Sequence, residues 1–327
     1  MNEKFESLRD SGLSNEDLKK ILEQVKNTEV NVLLIGGTGA GKSSTVNALF
    51  ATQGSTMQHA AVGETARPET MEVVQHRLKN LVIWDTPGLG DSAEKDKQHC
   101  HKIEEALQQK DGKGRPLIDL VLLVLDGSSR DFGSAYTLIK NVVGPQLAIG
   151  DENRLLIGIN KADKIMHHKF WDEDTNQPKP ELTAKLEAQA HDVKQRIQDD
   201  TGFSPDVVYY SAGEWHEGQR IQEPYNLLKL LSFVLDHLPN KKRAALANDI
   251  NRDEDNFKSN DAKADYQAEV KKSVLDSLGE IASDVLQKAG SIIGTVLSDP
   301  KVTGLLLTAA TGFIESLLSP KKDKKDK

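Results

Sequence analysis

Hydrophobic residues in the middle of the chain form short runs that alternate with longer amphipathic segments. The runs at 30–36 (VNVLLIG), 117–127 (LIDLVLLVLDG) and 153–160 (NRLLIGIN) are almost continuously apolar. Such runs are typical of parallel strands that helices cover on both faces. A helix is predicted from residue 42, directly after the first run. This order predicts an α/β fold with a doubly wound, mostly parallel sheet and a ligand at the carboxyl ends of its strands.

Shorter patterns extend the predicted sheet. The segments 70–78 (TMEVVQHRL) and 80–86 (NLVIWDT) resemble two neighbouring strands of a pair. The segment 206–212 (DVVYYSA) predicts a final strand, and 225–238 (YNLLKLLSFVLDHL) predicts a closing helix.

Both ends of the chain have helical patterns of their own. Apolar residues recur at roughly helical spacing in 1–27, which predicts one or two short helices on the main domain. Residues 274–297 place their apolar side chains on one face and acidic ones on the other, so we predict a strong amphipathic helix that Pro300 ends.

The changes in composition predict five segments. They are an N-terminal helical segment (1–28), a main α/β domain (29–240), a charged linker or helix (241–272), an amphipathic helical C-terminal segment (273–320) and a lysine-rich tail (321–327).

Composition narrows the classes of function. The formal net charge of −8 over 327 residues argues against a broad nucleic-acid-binding surface. The one cysteine, Cys100, excludes an internal disulfide and favours a reducing compartment. His99 and His101 flank Cys100, but adjacent helical residues point in different directions, which disfavours a metal site.

The N-terminus has no signal-peptide core, and no run reaches the ~18 apolar residues of a spanning helix. We therefore expect a cytoplasmic protein, with peripheral membrane attachment left open.

A glycine-rich phosphate loop follows the first strand and opens the first helix of the main domain. Glycines let successive backbone N–H groups face phosphate oxygens, and the helix N-terminus adds partial positive charge. In this pattern the lysine reaches the β- and γ-phosphates, and the hydroxyl after it binds Mg²⁺. The predicted phosphate-binding residues are Gly36, Gly37, Thr38, Gly39, Ala40, Gly41, Lys42, Ser43 and Ser44.

The sequence DTPGLGD (85–91) follows a hydrophobic strand. Asp85 can hold Mg²⁺ through water at the edge of the sheet, and the Gly88 N–H can meet a γ-phosphate. We therefore expect a metal site of Ser43, Asp85 and a threonine of the preceding loop.

The sequence NKAD (160–163) ends another apolar strand. The Asp163 carboxylate can accept hydrogen bonds from the guanine N1–H and exocyclic amine, a donor pair that adenine lacks. Asn160 is expected to brace the loop, and the stem of Lys161 to lie over the base. Ser211 and Ala212 end the last strand, where the Ala212 N–H can meet the guanine O6. These motifs together predict GTP or GDP with Mg²⁺.

Over residues 30–238 the chain resembles a GTPase of the translation-factor-related (TRAFAC) class. GGTGAGKSSTVNALF followed by WDTPGLGD most resembles the Era-like branch, particularly bacterial YfjP-like proteins of the HSR1-related 50S ribosome-binding GTPase family. Septins and immunity-related GTPases are similar but more distant. The resemblance implies a GTPase (G) domain over 29–240 that binds guanine nucleotide. It names no cellular target, because this branch serves ribosome assembly, membrane remodelling and defence.

The resemblance also implies a switch threonine that contacts Mg²⁺ and the γ-phosphate. Thr65 and Thr70 are the candidates, and Thr65 is favoured because Thr70 directly abuts the following strand. The predicted catalytic residues are therefore Lys42, Thr65 and Gly88. Arg67 can approach phosphate or form an ordinary surface ion pair.

Leu89 occupies the position where several hydrolysing switches place a glutamine that orients water. Some Era-like enzymes instead use K⁺ held by an asparagine of the phosphate loop, but the matching residue here is Gly39. Arg67, Asp91, a backbone-held water or a group from a second molecule remain as candidates. An arginine supplied in trans accelerates hydrolysis about 10³–10⁵-fold, so we expect slow basal hydrolysis that self-association or a partner stimulates.

The C-terminal segment leaves three alternatives: packing on the G domain or within its own hairpin, dimerisation through the apolar faces, and peripheral membrane attachment. The alternative function is a scaffold that resembles dynamin, septin or immunity-related proteins. In such a scaffold GTP controls oligomerisation or membrane association, and the protein alone hydrolyses little GTP. Asp163 disfavours a third hypothesis, that the chain is an ATPase. Beyond the nucleotide, the open partners are a second copy through the G domain or C-terminal helices, a membrane and the ribosome.

Overall fold

The computed structural model describes residues 15–50, 73–88, 93–129, 131–147, 152–216 and 219–288. The α-helices of these residues are α1 (Asn15–Lys26), α2 (Lys42–Leu49), α3 (Ala93–Gln108), α4 (Gly133–Leu138), α5 (Gly144–Gln146), α6 (Pro180–Thr201), α7 (Leu227–His237), α8 (Asn240–Leu246) and α9 (Tyr266–Lys288). A π-helical turn, Ile139–Val143, joins α4 to α5. The strands are β1 (Val30–Gly36), β2 (Val74–Arg77), β3 (Leu81–Asp85), β4 (Leu120–Asp126), β5 (Leu155–Asn160), β6 (Trp171–Asp172), β7 (Gln177–Pro178), β8 (Asp206–Tyr209), β9 (Glu214–His216) and β10 (Gln219–Gln222).

Six strands form the main sheet in the order β2-β3-β1-β4-β5-β8. Only β2 is antiparallel to its neighbour; the other described pairs of this sheet are parallel. The residues of β1 and β5 are buried throughout, whereas the edge strand β2 alternates half-buried and exposed positions. The predicted α/β fold with a mostly parallel sheet is therefore confirmed, as is the predicted pairing of β2 with β3.

Helices cover both faces of the sheet, and each face has its own hydrophobic core. One core joins the sheet to α1, α2, α7, α8 and α9. The other joins it to α3, α4 with the π-helical turn, and α6. Because both faces are covered, the free edge for a ligand is the one at the carboxyl ends of the strands.

The C-terminal helix α9 belongs to the first core and begins at Tyr266, before the predicted start at 274. Val274, Leu278 and Ile281 of its apolar face are buried together with residues of α1 and α8. Lys241 of α8 also pairs with Asp284 at 2.6 Å. Residues 266–288 thus pack on the main domain. The predicted part of the helix beyond 288, with the tail, lies outside the described residues.

The segment between α7 and α9 was predicted as a charged linker or helix. It contains α8 and two 3-10 turns, Ala247–Asp249 and Glu254–Phe257. Ala244, Ala245 and Leu246 are buried in the first core, which explains why this polar segment follows the surface of the domain. In the part of the chain that the structure describes, no helix has the length and apolarity needed to cross a bilayer.

Candidate nucleotide-binding site

The phosphate loop runs from the end of β1 to the start of α2, and two glycines are required by its geometry. Gly41 has φ +90°, and a Cβ there would lie 2.1 Å from Asn160 Nδ2. A Cβ on Gly36 would lie 2.3 Å from the Val124 carbonyl oxygen of β4. Any side chain would therefore separate the loop from the strands that flank it.

Lys42 begins α2 and directs its ammonium group back over the loop. Its Nζ donates to the Gly36 carbonyl at 2.9 Å and lies 3.5 Å from the Gly37 carbonyl. Burial lowers the pKa of Lys42, which the nearby Asp85 carboxylate partly opposes. Carbonyls thus orient this cation, and a further anion such as a phosphate would stabilise its charge. Ser43 and Ser44 follow in the first turn of α2, and both are half-buried.

Asp85 ends β3, next to β1. Its Oδ1 is buried and has no hydrogen-bond partner among the described residues. Burial raises the pKa of Asp85, although the charges of Lys42 and His76 oppose this. The following residue, Thr86, fixes the chain because its N–H and hydroxyl both donate to the Leu34 carbonyl, at 3.2 and 2.9 Å. The carboxylate is therefore held rigidly at the sheet edge with one oxygen in need of a cation or donor.

Gly88 lies directly against the phosphate loop. A Cβ on Gly88 would lie 2.2 Å from Thr38 Oγ1 and 2.8 Å from the Thr38 backbone nitrogen. Only a glycine lets the chain after β3 approach the loop this closely.

Asn160 connects the phosphate loop to the loop after β8. Its Nδ2 donates to the Ala40 carbonyl at 3.0 Å, and its Oδ1 accepts the Ala212 N–H at 3.0 Å. Ser211 forms a two-hydrogen-bond bridge with Tyr225, at 2.9 Å in each direction. The loops after β1, β5 and β8 therefore meet as one cradle.

The loop after β5 holds the predicted base-recognition residues. Asp163 Oδ1 is buried and lacks a hydrogen-bond partner within the described part of the chain. Lys161 adopts a left-handed conformation (φ +61°), and its Nζ lies 2.6 Å from Asp126 Oδ2. Asp126 therefore positions Lys161, a role that sequence reasoning missed. The available indication was that Asp126 ends the apolar run of β4, at the same sheet edge as the motifs.

Sequence reasoning also missed Thr45 and Tyr210, which form a buried hydrogen bond of 2.6 Å between α2 and the end of β8. No simple motif indicates this pair. Several predicted residues lie outside the described part of the chain: Thr65, Thr70, Arg67, Leu89 and Asp91. Their roles stay predictions.

The residues present fit a magnesium-bound guanine nucleotide. Among the described residues, two buried carboxylate oxygens, on Asp85 and Asp163, have no hydrogen-bond partner. Asp85 ends β3 and Asp163 follows β5, and Asn160 ties the loops of this sheet edge together. A carboxylate oxygen is a preferred ligand of Mg²⁺ and a good acceptor for the paired donors of guanine. Among the described residues no three His, Cys, Asp or Glu side chains cluster as a metal-binding group. A metal here would thus take further ligands from hydroxyls, phosphate and water.

Residues 30–145 match the model of the AIG1 family. Three curated relatives are similar to parts of the chain. GTP-binding protein A of Dictyostelium discoideum is 35% identical over 142 residues, 41% of this chain and 30% of its own length. Translocase of chloroplast 108 of Physcomitrium patens is 35% identical over 130 residues, 38% of this chain and 12% of its own length. Uncharacterized protein YfjP of Escherichia coli is 28% identical over 161 residues, 47% of this chain and 50% of its own length.

The chain thus spans half or less of the length of these curated relatives. A solved structure of Toc33 from Arabidopsis thaliana in complex with Mg²⁺ and GMPPNP is 18% identical, with a TM-score of 0.38, and the alignment covers 60% of this chain and 78% of that one. The family match covers β1, the phosphate loop, Asp85 and Gly88, in the order in which the structure assembles them. Residues 30–145 are therefore similar to the AIG1 family over the part of the chain that forms the phosphate loop and the end of β3.

Proposed function

We propose that this chain binds GTP and GDP with Mg²⁺ and hydrolyses GTP as a molecular switch, slowly when alone and faster on self-association or with a partner. The observation that carries the proposal is Asn160, which bonds the phosphate loop to the loop after β8. Three residues further along, Asp163 has a buried oxygen with no partner among the described residues. A site built this way serves a ligand with a phosphate end and a guanine end. The similarity to GTP-binding protein A supports the same assignment.

The described residues divide the work as follows. Lys42 and the loop N–H groups bind phosphate oxygens, and Ser43 and Asp85 hold the metal. The bound Mg²⁺ would neutralise charge that develops on the phosphates. Gly88 packs against Thr38 of the phosphate loop, and its N–H is proposed to bind the γ-phosphate. Asp163 selects guanine, and Lys161, held by Asp126, covers the base.

The group that orients the attacking water is proposed to come from outside the described cradle. Arg67, Asp91 and a second molecule are the candidates, with Thr65 completing the metal site. We also propose that the chain belongs to the Era-like branch and acts in the cytoplasm, on the strength of the motifs at 36–50 and 84–91.

Fluorescent mant-GDP and mant-GTP titrations, with and without Mg²⁺, test binding. Excess GDP is expected to displace the probe and excess ATP is not. Displacement by ATP with equal strength would overturn the guanine assignment. The Lys42→Ala variant lacks the ammonium group that binds phosphate, so it is the control that should lose affinity for the mant-nucleotides.

Single-turnover GTP hydrolysis, measured over a wide range of protein concentrations, tests the switch. We expect the rate per molecule to be slow at low concentration and to rise with concentration or with an added partner. Fast hydrolysis that is independent of concentration would contradict the need for a second molecule. Nucleotide-dependent assembly without measurable turnover would favour the scaffold.

A further inference from the structure

Tyr210 directly follows β8, and its hydroxyl contacts α2, the helix that follows the phosphate loop. Tyr210 and Thr45 are both fully buried, and their hydroxyl oxygens lie 2.6 Å apart. The two residues are 165 positions apart in the chain. The contact therefore joins the phosphate-binding and base-binding halves of the site.

The direction of this hydrogen bond follows from proton counting. The Thr45 hydroxyl has one proton, and it donates that proton to the Gly41 carbonyl at 2.8 Å, since a carbonyl can only accept. Tyr210 must then donate to Thr45. Burial raises the pKa of Tyr210, so its hydroxyl keeps the proton at any ordinary pH. The result is a chain of hydrogen bonds from Tyr210 through Thr45 to Gly41.

Gly41 is the point at which the phosphate loop turns into α2, with φ +90°. Its carbonyl accepts from both the backbone N–H of Thr45, at 2.9 Å, and the Thr45 hydroxyl. Losing the Tyr210 contact is therefore expected to change the orientation of the Gly41 peptide group, with which α2 begins.

The backbone and ring of Tyr210 hold the base loop. Its N–H donates to the Ile159 carbonyl at 2.8 Å, and its carbonyl accepts the Ala162 N–H at 3.0 Å. Ala162 lies between Lys161 and Asp163 in the loop that recognises the base. The ring lies close against Gly158, where a Cβ would be 2.8 Å from Tyr210 Cε1. The side chain is thus wedged between β5 and α2 and has no room to swing away.

We propose that Tyr210 and Thr45 are positioning residues that set the distance between the phosphate loop and the guanine loop, so that a nucleotide must fit both ends at once. This inference rests on the proposed guanine-nucleotide function. It goes beyond the Asn160 bonds, because the connection runs through side chains outside the nucleotide motifs. The affinity for a ligand that spans both loops depends on the spacing between them, whereas the affinity for a ligand that contacts only the guanine loop does not.

The test compares mant-GDP with guanosine, which lacks phosphate. In Tyr210→Phe, mant-GDP is expected to dissociate about tenfold faster, while guanosine, measured by ligand-observed NMR, binds within about twofold of the unmodified chain. Thr45→Val is expected to match this loss. Thr45→Ser keeps the hydroxyl and is the control that should retain normal mant-GDP dissociation.

The double variant Tyr210→Phe, Thr45→Val makes the test independent of folding losses. It removes both buried polar groups together, so its stability should approach that of the unmodified chain, whereas its mant-GDP dissociation stays as fast as in either single variant. Equal weakening of guanosine and mant-GDP, or unchanged mant-GDP dissociation in the double variant, would overturn the inference. Failure of the unmodified chain to bind mant-GDP would instead overturn the proposed function.

Discussion

The Asp249 carboxylate accepts the backbone N–H of Asn80 at 2.7 Å, across 169 positions of sequence. The same carboxylate accepts the N–H groups of Lys79 and Leu81, both at 2.9 Å. The side-chain NH₂ group of Asn80 lies within hydrogen-bond distance of three carbonyls at and just after the end of α1, those of Val25, Lys26 and Thr28. The tight turn that leads into β3 and Asp85 is therefore held by the segment after α8 and by α1 together.

Asp249→Ala leaves three backbone N–H groups of this turn without their acceptor. We expect the free energy of unfolding to fall by about 3 kcal/mol, because buried donors without partners are costly. Urea denaturation measures the change. Asp199→Asn, an exposed carboxylate that accepts only from Gln195 in the described contacts, is the control and should stay within about 0.5 kcal/mol. A loss below about 1 kcal/mol for Asp249→Ala would contradict this role.

Asp126→Asn should make mant-GDP dissociate about tenfold faster, because Lys161 loses the charged partner that holds it at 2.6 Å. Stopped-flow release measures the rate. Glu214→Gln is the matched control, since it removes a carboxylate from Lys164, three residues further along, in an exposed pair of 2.5 Å. Similar release rates for the two variants would show that Lys161 needs no such positioning.

Asp163→Asn should exchange guanine for xanthine as the preferred base. The asparagine oxygen still accepts from N1–H, but its NH₂ group meets the guanine amine with a second donor and suits the xanthine carbonyl. We expect GDP affinity to fall by about 100-fold or more and xanthosine diphosphate to bind better than GDP. Competition against mant-GDP measures both, with Asp206→Asn as an exposed control. Retained GDP preference would place the base elsewhere.

Gly88→Ala should slow GTP hydrolysis by about 100-fold while mant-GDP binding changes little. The added Cβ would clash with Thr38, so Gly88 must move away from the loop and its N–H with it. Gly112→Ala provides the control, because a Cβ there meets nothing within 4 Å. Unchanged single-turnover hydrolysis in Gly88→Ala would remove this glycine from the mechanism.

The free energy of unfolding should depend on pH through the ionisation of Asp261. Burial alone would raise its pKa, but hydrogen bonds from Lys229 and Tyr266 outweigh this, and the pKa of Asp261 lies below its usual 3.8. A lowered folded-state pKa contributes stability that is present above the unfolded value and is lost as the pH falls toward the folded value. The difference in unfolding free energy between the unmodified chain and Asp261→Asn should therefore be full above about pH 5 and shrink below about pH 4. A difference that stays constant down to pH 3 would contradict it.

Much of the sheet was predictable because local patterns report it. The continuous apolar runs of β1, β4 and β5 indicated central parallel strands. The polar residues that end β3 (Asp85) and β5 (Asn160) indicated the edge that holds the site. Helix α9 was predicted from its apolar face, although its start at Tyr266 was missed because residues 266–273 mix polar and apolar side chains.

The packing of α9 was not predictable in the same way. Its apolar stripe fits the domain surface, a second copy or a membrane equally well, since periodicity describes a face and not its partner. The folded chain places residues 266–288 against α1 and α8. Likewise Asp126, two residues before a serine in an ordinary turn, became notable only when Lys161 lay beside it.

The sequence alone predicted the main strands with the first and closing helices of the domain, and the position of the phosphate loop, because these depend on neighbouring residues. The proposed guanine preference of Asp163 likewise follows from the chemistry of a single side chain. Only the tertiary structure decided which distant residues hold these parts together. Asn160 with Ala40, Tyr210 with Thr45 and Asp249 with Asn80 are each more than a hundred positions apart. Such pairs come from burial and chain topology, which bring atoms together irrespective of their separation along the chain.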